Sequence, residues 1–136
     1  MIENKSAMLI KKQEQMRREL DLLLTQERPD TAYLPREIAA LLDFIHGNLF
    51  DSTLNVSSAR SNCRIRNNNI SARFRTTLGV GIREYIEALR LEGALRLLRD
   101  RRFEVYLIAM AVGYEHQETF CRAFQRHFGC PPSSCQ

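Results

Sequence analysis

Residues Ile108–Pro132 read IAMAVGYEHQETFCRAFQRHFGCPP, the most constraining segment of the chain. Ala109 and Gly113 lie one helical turn apart, and Phe120, Phe124 and Phe128 recur every four residues, so the three rings line one face of a helix. Gly113 supplies a left-handed turn that a side chain would resist, and Ala109 is small enough for the next helix to cross closely above it. Together these specify a helix-turn-helix. Opposite the phenylalanines, Gln117, Glu118, Cys121, Arg122 and Gln125 face outward. Gln and Arg are the side chains best shaped to bond base edges in pairs.

The same pattern occurs earlier. Ile70, Phe74, Leu78 and Gly79 mirror Phe120, Phe124, Phe128 and Gly129 at a constant offset of fifty, which points to two equivalent units. The earlier unit, Leu54–Gly79, departs from pattern at its turn. Arg60 stands at the position matching Ala109, and Arg64 at that matching Gly113. An arginine at a close crossing must snorkel outward or push the helices apart. A residue other than glycine in a left-handed turn costs about 1 kcal/mol. Asn67, Asn68 and Asn69 can cap the following helix or adopt the left-handed conformation themselves, so the sequence predicts a turn shifted toward them.

From about Leu54 to the last residue without gaps, and more loosely from Pro35, the chain resembles the AraC/XylS family of bacterial transcription regulators. GYEHQETFCRAFQRHFGCPP is especially similar to the stand-alone MarA/SoxS/Rob type. The resemblance implies an all-α fold: two helix-turn-helix subdomains joined by a long central helix, here with an extra N-terminal helix. It implies a monomer that binds double-stranded DNA across two adjacent major grooves. Regulation would follow by contact with RNA polymerase or by occupancy, with activation favoured over repression.

Carried over by position, the family's base-reading residues fall on Asn67, Asn68, Ser71 and Ala72 in the first unit; Ala72 stands where close relatives have arginine. Arg66 stands where the family usually has a capping serine. In the second unit Gln117 and Arg122 are the strongest candidates, because motif, helical face and chemistry agree. Thr119 meets a thymine methyl, a phosphate or only the helix edge. Glu118, where relatives often have Gln, either accepts from cytosine N4 or repels phosphate. Phosphate contacts are expected from Arg66, Arg73, Arg75, Arg90 and Arg126, and Arg90 has an ion pair as its other role. His116 reads as a solvated first-turn residue, and the phenylalanines as core.

Composition agrees with this. The 136 residues suit one domain or one domain with an appendage, and the net charge is +4. Residues 1–34 hold six basic and six acidic side chains, so the whole excess lies beyond them. Arg60–Arg102 contains eleven arginines against four acids, and seventeen of the twenty basic residues are Arg. That choice favours planar, bidentate contacts to phosphate and guanine. There is neither a signal-peptide pattern nor an apolar run of membrane-spanning length, so a cytoplasmic location is expected. Cys63, Cys121, Cys130 and Cys135 lack CxxC spacing and a secretory context, and are expected to be reduced structural thiols. His127, Cys130 and Cys135 fit no standard zinc spacing, and neither metal nor cofactor is expected.

In chain order, residues 3–27 read as a helix with Leu9, Met16, Leu20 and Leu23 on one stripe. Three roles compete for it: a helix docked on the domain, a homodimerising helix, or the remnant of a linker to a sensor domain. Pro35 opens a second helix with Ile38, Leu41, Leu42 and Ile45 buried and Gly47 at its C-terminal cap. A connecting helix follows from about Ile82 to Arg99, apolar around most of its circumference, with Gly93 as its weak point. Its eighteen residues span about 27 Å at 1.5 Å per residue. Lobes beyond each end would bring two reading helices near the ~34 Å spacing of successive major grooves. The expected divisions are 1–34 for the N-terminal helix and linker, 35–79 for the first subdomain, 80–100 for the connecting helix and 101–136 for the second subdomain. The competing function is a protein-interaction module of the same fold with weak or no sequence-specific DNA binding. An enzyme has little behind it: no nucleophile–base set or glycine-rich phosphate loop stands out, and nothing surrounds a cysteine to activate it.

Overall fold

A computed structural model describes residues 2–136, with side chains from Lys5 onward. In chain order the helices are α1 (Ile2–Gln26), α2 (Arg36–Gly47), α3 (Val56–Asn62), α4 (Ile70–Leu78), α5 (Ile82–Leu98), α6 (Val105–Ala111) and α7 (Gln117–Phe128), followed by a 3-10 turn, Pro132–Cys135. Among the described residues there is no strand.

Two apolar clusters form because α5 is apolar on several sides and has a bundle packed at each end. Its N-terminal half gives Ile82 and Ile86 to a cluster with Ile38, Leu41, Leu42 and Ile45 of α2, Ala59 of α3, and Ile70 and Phe74 of α4. Its C-terminal half gives Leu91, Ala94, Leu97 and Leu98 to a second cluster with Ile108, Ala109 and Val112, and with Phe120, Ala123 and Phe124 of α7. A one-sided helix could not serve both. The seventeen residues of α5 span about 26 Å at 1.5 Å per residue.

The N-terminal helix docks across this frame. Met16 and Leu20 join the second cluster, Leu24 packs against the first, and Leu23 is buried as well. The crossing is at Gly93, where an added Cβ would sit 2.8 Å from Leu20 Cδ2 and 3.2 Å from Phe50 Cε1. Gly93 is therefore a contact point rather than only a weak point: it lets α1 approach the backbone of α5. The apolar stripe does not extend to the N-terminal end of α1, since Met8, Leu9 and Ile10 are exposed.

Two local expectations change. Pro35 caps α2 from outside rather than occupying its first turn, and its carbonyl accepts from Ala39 N–H at 2.9 Å. Gly47 is the last helical residue and not a left-handed cap; Asn48 follows it, and Asn48 Nδ2 donates to Phe44 O at 2.9 Å. The side-chain amide satisfies a carbonyl that a glycine cap would have served with its backbone.

Candidate nucleic-acid interface

The second unit is built as its sequence predicts. Gly113 has φ 101°, and Tyr114 N–H donates to Ala109 O at 2.9 Å, which turns the chain from α6 into α7. Ala109 and Gly113 are buried. Tyr114 stacks edge-on against Phe120 at 5.4 Å between centroids, Phe120 meets Phe124 at 5.8 Å, and Phe124 meets Phe128 at 4.6 Å. This ladder holds one face of α7 against the core. The other face projects Gln117, Glu118, Arg122 and Gln125 into solvent, with Thr119 exposed beside them and Cys121 half-buried on the flank. Glu118 Oε2 lies 3.7 Å from Arg122 across one turn, both side chains being well exposed.

The first unit follows the same backbone path despite its arginines. Ile65 N–H donates to Arg60 O at 3.0 Å, the counterpart of the Tyr114–Ala109 bond. Arg64 itself takes the left-handed conformation at φ 55°. The turn is thus not shifted onto the asparagines as the sequence suggested. Arg64 is exposed, so its side chain clashes with nothing and only the backbone cost remains. Asn67 Oδ1 instead accepts from Asn69 N–H at 2.8 Å, an Asx turn that leads into α4. Arg60 snorkels only in part: it is half-buried, its Nη2 reaches Asn68 Oδ1 at 3.4 Å, and its Nε is buried without a partner. The close packing falls to Ala59, fully buried one residue earlier. The α3 helix begins with a reciprocal capping box, Ser58 N–H to Asn55 Oδ1 at 2.8 Å and Asn55 N–H to Ser58 Oγ at 3.0 Å.

On α4 and the turn before it, Asn68, Ser71, Ala72 and Arg73 are exposed and Asn67 is half-buried. Arg66 is also exposed. Two other expected phosphate ligands have partners on α5. Arg75 pairs with Glu84 at 3.1 Å, and Arg126 pairs with Glu87 at 2.9 Å. The two acids are one helical turn apart, so each outward-facing helix is tied to the shared central helix by one arginine–glutamate bridge.

Arg90 is placed differently from its expected phosphate or carboxylate contact. Its Nε donates to Leu49 O and its Nη2 to Asp51 O, both at 2.7 Å, and its guanidinium lies 5.9 Å from the Tyr114 ring centroid. It joins the α2–α3 loop of one half to the turn of the other. Burial is the main influence lowering its pKa, opposed by Tyr114 and Asp51. Nothing local in the sequence could name these carbonyls, which lie about forty residues away.

His46 and Tyr85 form a second buried polar contact that the sequence reading did not single out. They hydrogen-bond at 2.6 Å, and His46 Nδ1 is buried with no protein partner. Among the described residues, no group of His, Cys, Asp and Glu is placed to hold a metal ion.

Two helix-turn-helix units on one central helix, each with a polar outer face, define a DNA-binding architecture. The helix-turn-helix domain family matches residues 63–136, more than half of the chain. Putative AraC-like transcription regulators from Streptomyces lividans and Streptomyces antibioticus are similar: the first is 34% identical over 77 residues, 57% of this chain and 25% of that protein, and the second 32% over 95 residues, 70% and 31%. The arabinose operon regulatory protein of Escherichia coli is 28% identical over 90 residues, 66% of this chain and 31% of that protein. The chain thus spans about a quarter to a third of the length of these relatives. Among solved structures, the C-terminal domain of AraT, a response regulator from Geobacillus stearothermophilus, superposes with a TM-score of 0.72 at 23% identity, covering 76% of this chain and 86% of that one. The C-terminal domain of the response regulator yesN from Fusobacterium nucleatum gives 0.66 at 23% identity, covering 70% and 92%.

The chain belongs to the AraC-type helix-turn-helix family of DNA-binding transcription regulators. That is a family of regulators rather than enzymes. Among the described residues no helix is long and apolar enough to cross a membrane.

Proposed function

We propose that this chain binds double-stranded DNA sequence-specifically, with α7 and α4 entering adjacent major grooves, and that it acts in the cytoplasm as a transcription regulator, more readily an activator than a repressor. The observation that carries the reading is the outer face of α7: Gln117, Glu118 and Arg122 are exposed on a helix whose opposite face is locked by the phenylalanine ladder. Rigid mounting is what base readout needs, because a bidentate contact discriminates only from a fixed position. Gln117 and Arg122 read bases, Thr119 and Glu118 adjust the preference, and Asn67, Asn68 and Ser71 contribute from the first unit. Arg66, Arg73, Arg75 and Arg126 meet phosphates, the last two after exchanging a carboxylate for a phosphate. Arg90, also expected at a phosphate, has two of its five donors committed to carbonyls and offers the remainder.

The apolar stripe of α1 from Met16 onward is occupied within the chain, which favours a docked helix over a homodimer through residues 3–27. Activation would require a contact to RNA polymerase from a surface turned away from DNA.

One observation favours the competing reading, a regulatory or protein-interaction module with weak DNA binding. Arg60 engages Asn68, and Ala72 offers no donor, so the first unit has fewer free readers than the second. In vitro selection from a random duplex pool separates the two. Two boxes one helical turn apart support reading by both units; a single box leaves only α7 reading sequence. Binding that shows no preference, or that Arg122→Ala leaves unchanged, would overturn the base-reading assignment.

A further inference from the structure

The last helix ends at Gly129, left-handed at φ 80°, and the chain then runs Cys130-Pro131-Pro132-Ser133-Ser134-Cys135. This tail is well organised. Ser134 N–H and Oγ–H both donate to Pro131 O, at 3.1 and 2.7 Å, Pro132 is buried, and Gln136 Nε2 donates to Phe103 O at 2.8 Å. The fold of the turn brings Cys130 Sγ and Cys135 Sγ to 3.6 Å, and both residues are half-buried free thiols. Cys63 and Cys121 sit elsewhere: Cys63 Sγ lies against Ala40 O at 3.6 Å, and Cys121 is on the flank of α7.

We propose that Cys130 and Cys135 are a redox-active dithiol that closes to an intramolecular disulfide at the end of the recognition helix. A disulfide needs an S–S distance of about 2.05 Å, so the sulfurs must approach by about 1.5 Å from their 3.6 Å separation. That is within reach of side-chain rotation. The backbone cost of ring closure is small, because Pro131 and Pro132 each fix φ and the 3-10 turn already holds the two ends together. The oxidant is a low-molecular-weight disulfide, RSSR. A protein thiolate attacks one of its sulfurs, releasing one thiolate RS⁻ and forming a mixed disulfide. The second protein thiolate then attacks the protein sulfur of that bond and expels the other RS⁻. Two protein thiol protons and RSSR thus become one protein disulfide and two RSH. Either sulfur can be the donor in their hydrogen bond, so the first attack falls to whichever thiol is ionised and the resolving step to the other.

The test uses the full chain, equilibrated with excess glutathione disulfide or with dithiothreitol, acid-quenched, alkylated and mapped by mass spectrometry. Oxidation should remove two hydrogens from the peptide holding Cys130 and Cys135, protect both from alkylation, and be reversed by dithiothreitol. Cys135→Ser should trap glutathione stably on Cys130, since no resolving thiol remains. The far-ultraviolet circular dichroism of both forms should stay helical, which places the reaction in the folded protein. Persistent glutathione adducts on Cys130 or Cys135 in the unsubstituted chain would overturn the proposal, as would two freely alkylated thiols after equilibration or a disulfide to Cys63 or Cys121.

Discussion

Arg90 and Gly113 lock together across the seam between the two halves: an added Cβ on Gly113 would lie 2.9 Å from Arg90 Nε and 3.0 Å from its Cζ. The glycine therefore has two duties. It takes a left-handed conformation at φ 101°, and it leaves room for a guanidinium that bonds Leu49 O and Asp51 O in the other half. Gly113→Ala should destabilise the fold by about 1–2 kcal/mol from backbone strain alone, and further by displacing Arg90. Urea denaturation measures this; an unchanged midpoint would refute the packing account.

Arg90→Lys tests the clamp from its other side. Lysine keeps the charge but loses the planar fork that serves two carbonyls at once. Losing one charge-assisted hydrogen bond should cost roughly 1.5–3 kcal/mol. If the clamp also sets the register of the units, the variant should lose more affinity for a two-box site than for a single-box site. Equal losses on both sites would mean that Arg90 contributes to stability only.

The turn of the first unit predicts a gain. Arg64 is left-handed and exposed, so Arg64→Gly relieves strain without opening a cavity. The expected stabilisation is about 0.5–1 kcal/mol, the left-handed penalty less the entropy that glycine loses on folding. A lower thermal midpoint would show that the arginine side chain makes a contact of greater worth.

The bridge between Arg126 and Glu87 holds α7 on α5 but competes with phosphate for the same guanidinium. Glu87→Gln should tighten DNA binding roughly two- to fivefold, the scale of an exposed ion pair. Arg126→Ala should lower the salt slope by about 0.9. If Glu87→Gln weakens binding, the bridge orients α7 rather than restraining Arg126.

Stability should depend on pH through His46. Burial is the main cause lowering its pKa below the ordinary 6.5, with Arg28 adding to the effect. The imidazolium is a donor at both ring nitrogens, and at Nδ1 it finds no acceptor. Above the unfolded value the imidazole is neutral in both states and the site contributes fully. As pH falls, the unfolded chain gains the proton first, so stability is lost until the lower folded-state value is reached. Urea midpoints from about pH 7.5 to about pH 5 should fall more steeply in the native chain than in His46→Gln. Parallel curves would assign the pH dependence to other groups.

Much of this was legible in the sequence because it rests on spacing. The rings at Phe120, Phe124 and Phe128, the repeat at Ile70 and Phe74, and the apolar circumference of Ile82–Leu98 each report which side of a helix is covered, and local geometry alone converts that into two units on a shared helix. The outer face of α7 followed for the same reason. The turn of the first unit was misread because a penalty near 1 kcal/mol at Arg64 is smaller than the packing that fixes the path of α3 and α4, so tertiary contacts overrode local preference. Other features depended on residues far apart in the chain. Gly93 became the crossing point of α1, Arg90 reached carbonyls of the α2–α3 loop, and Arg75 and Arg126 met Glu84 and Glu87. Periodicity determines which face of each helix is buried; only the assembled helices determine which partner each polar side chain finds, because hydrogen bonds and ion pairs act over a few ångströms between groups that the sequence keeps apart.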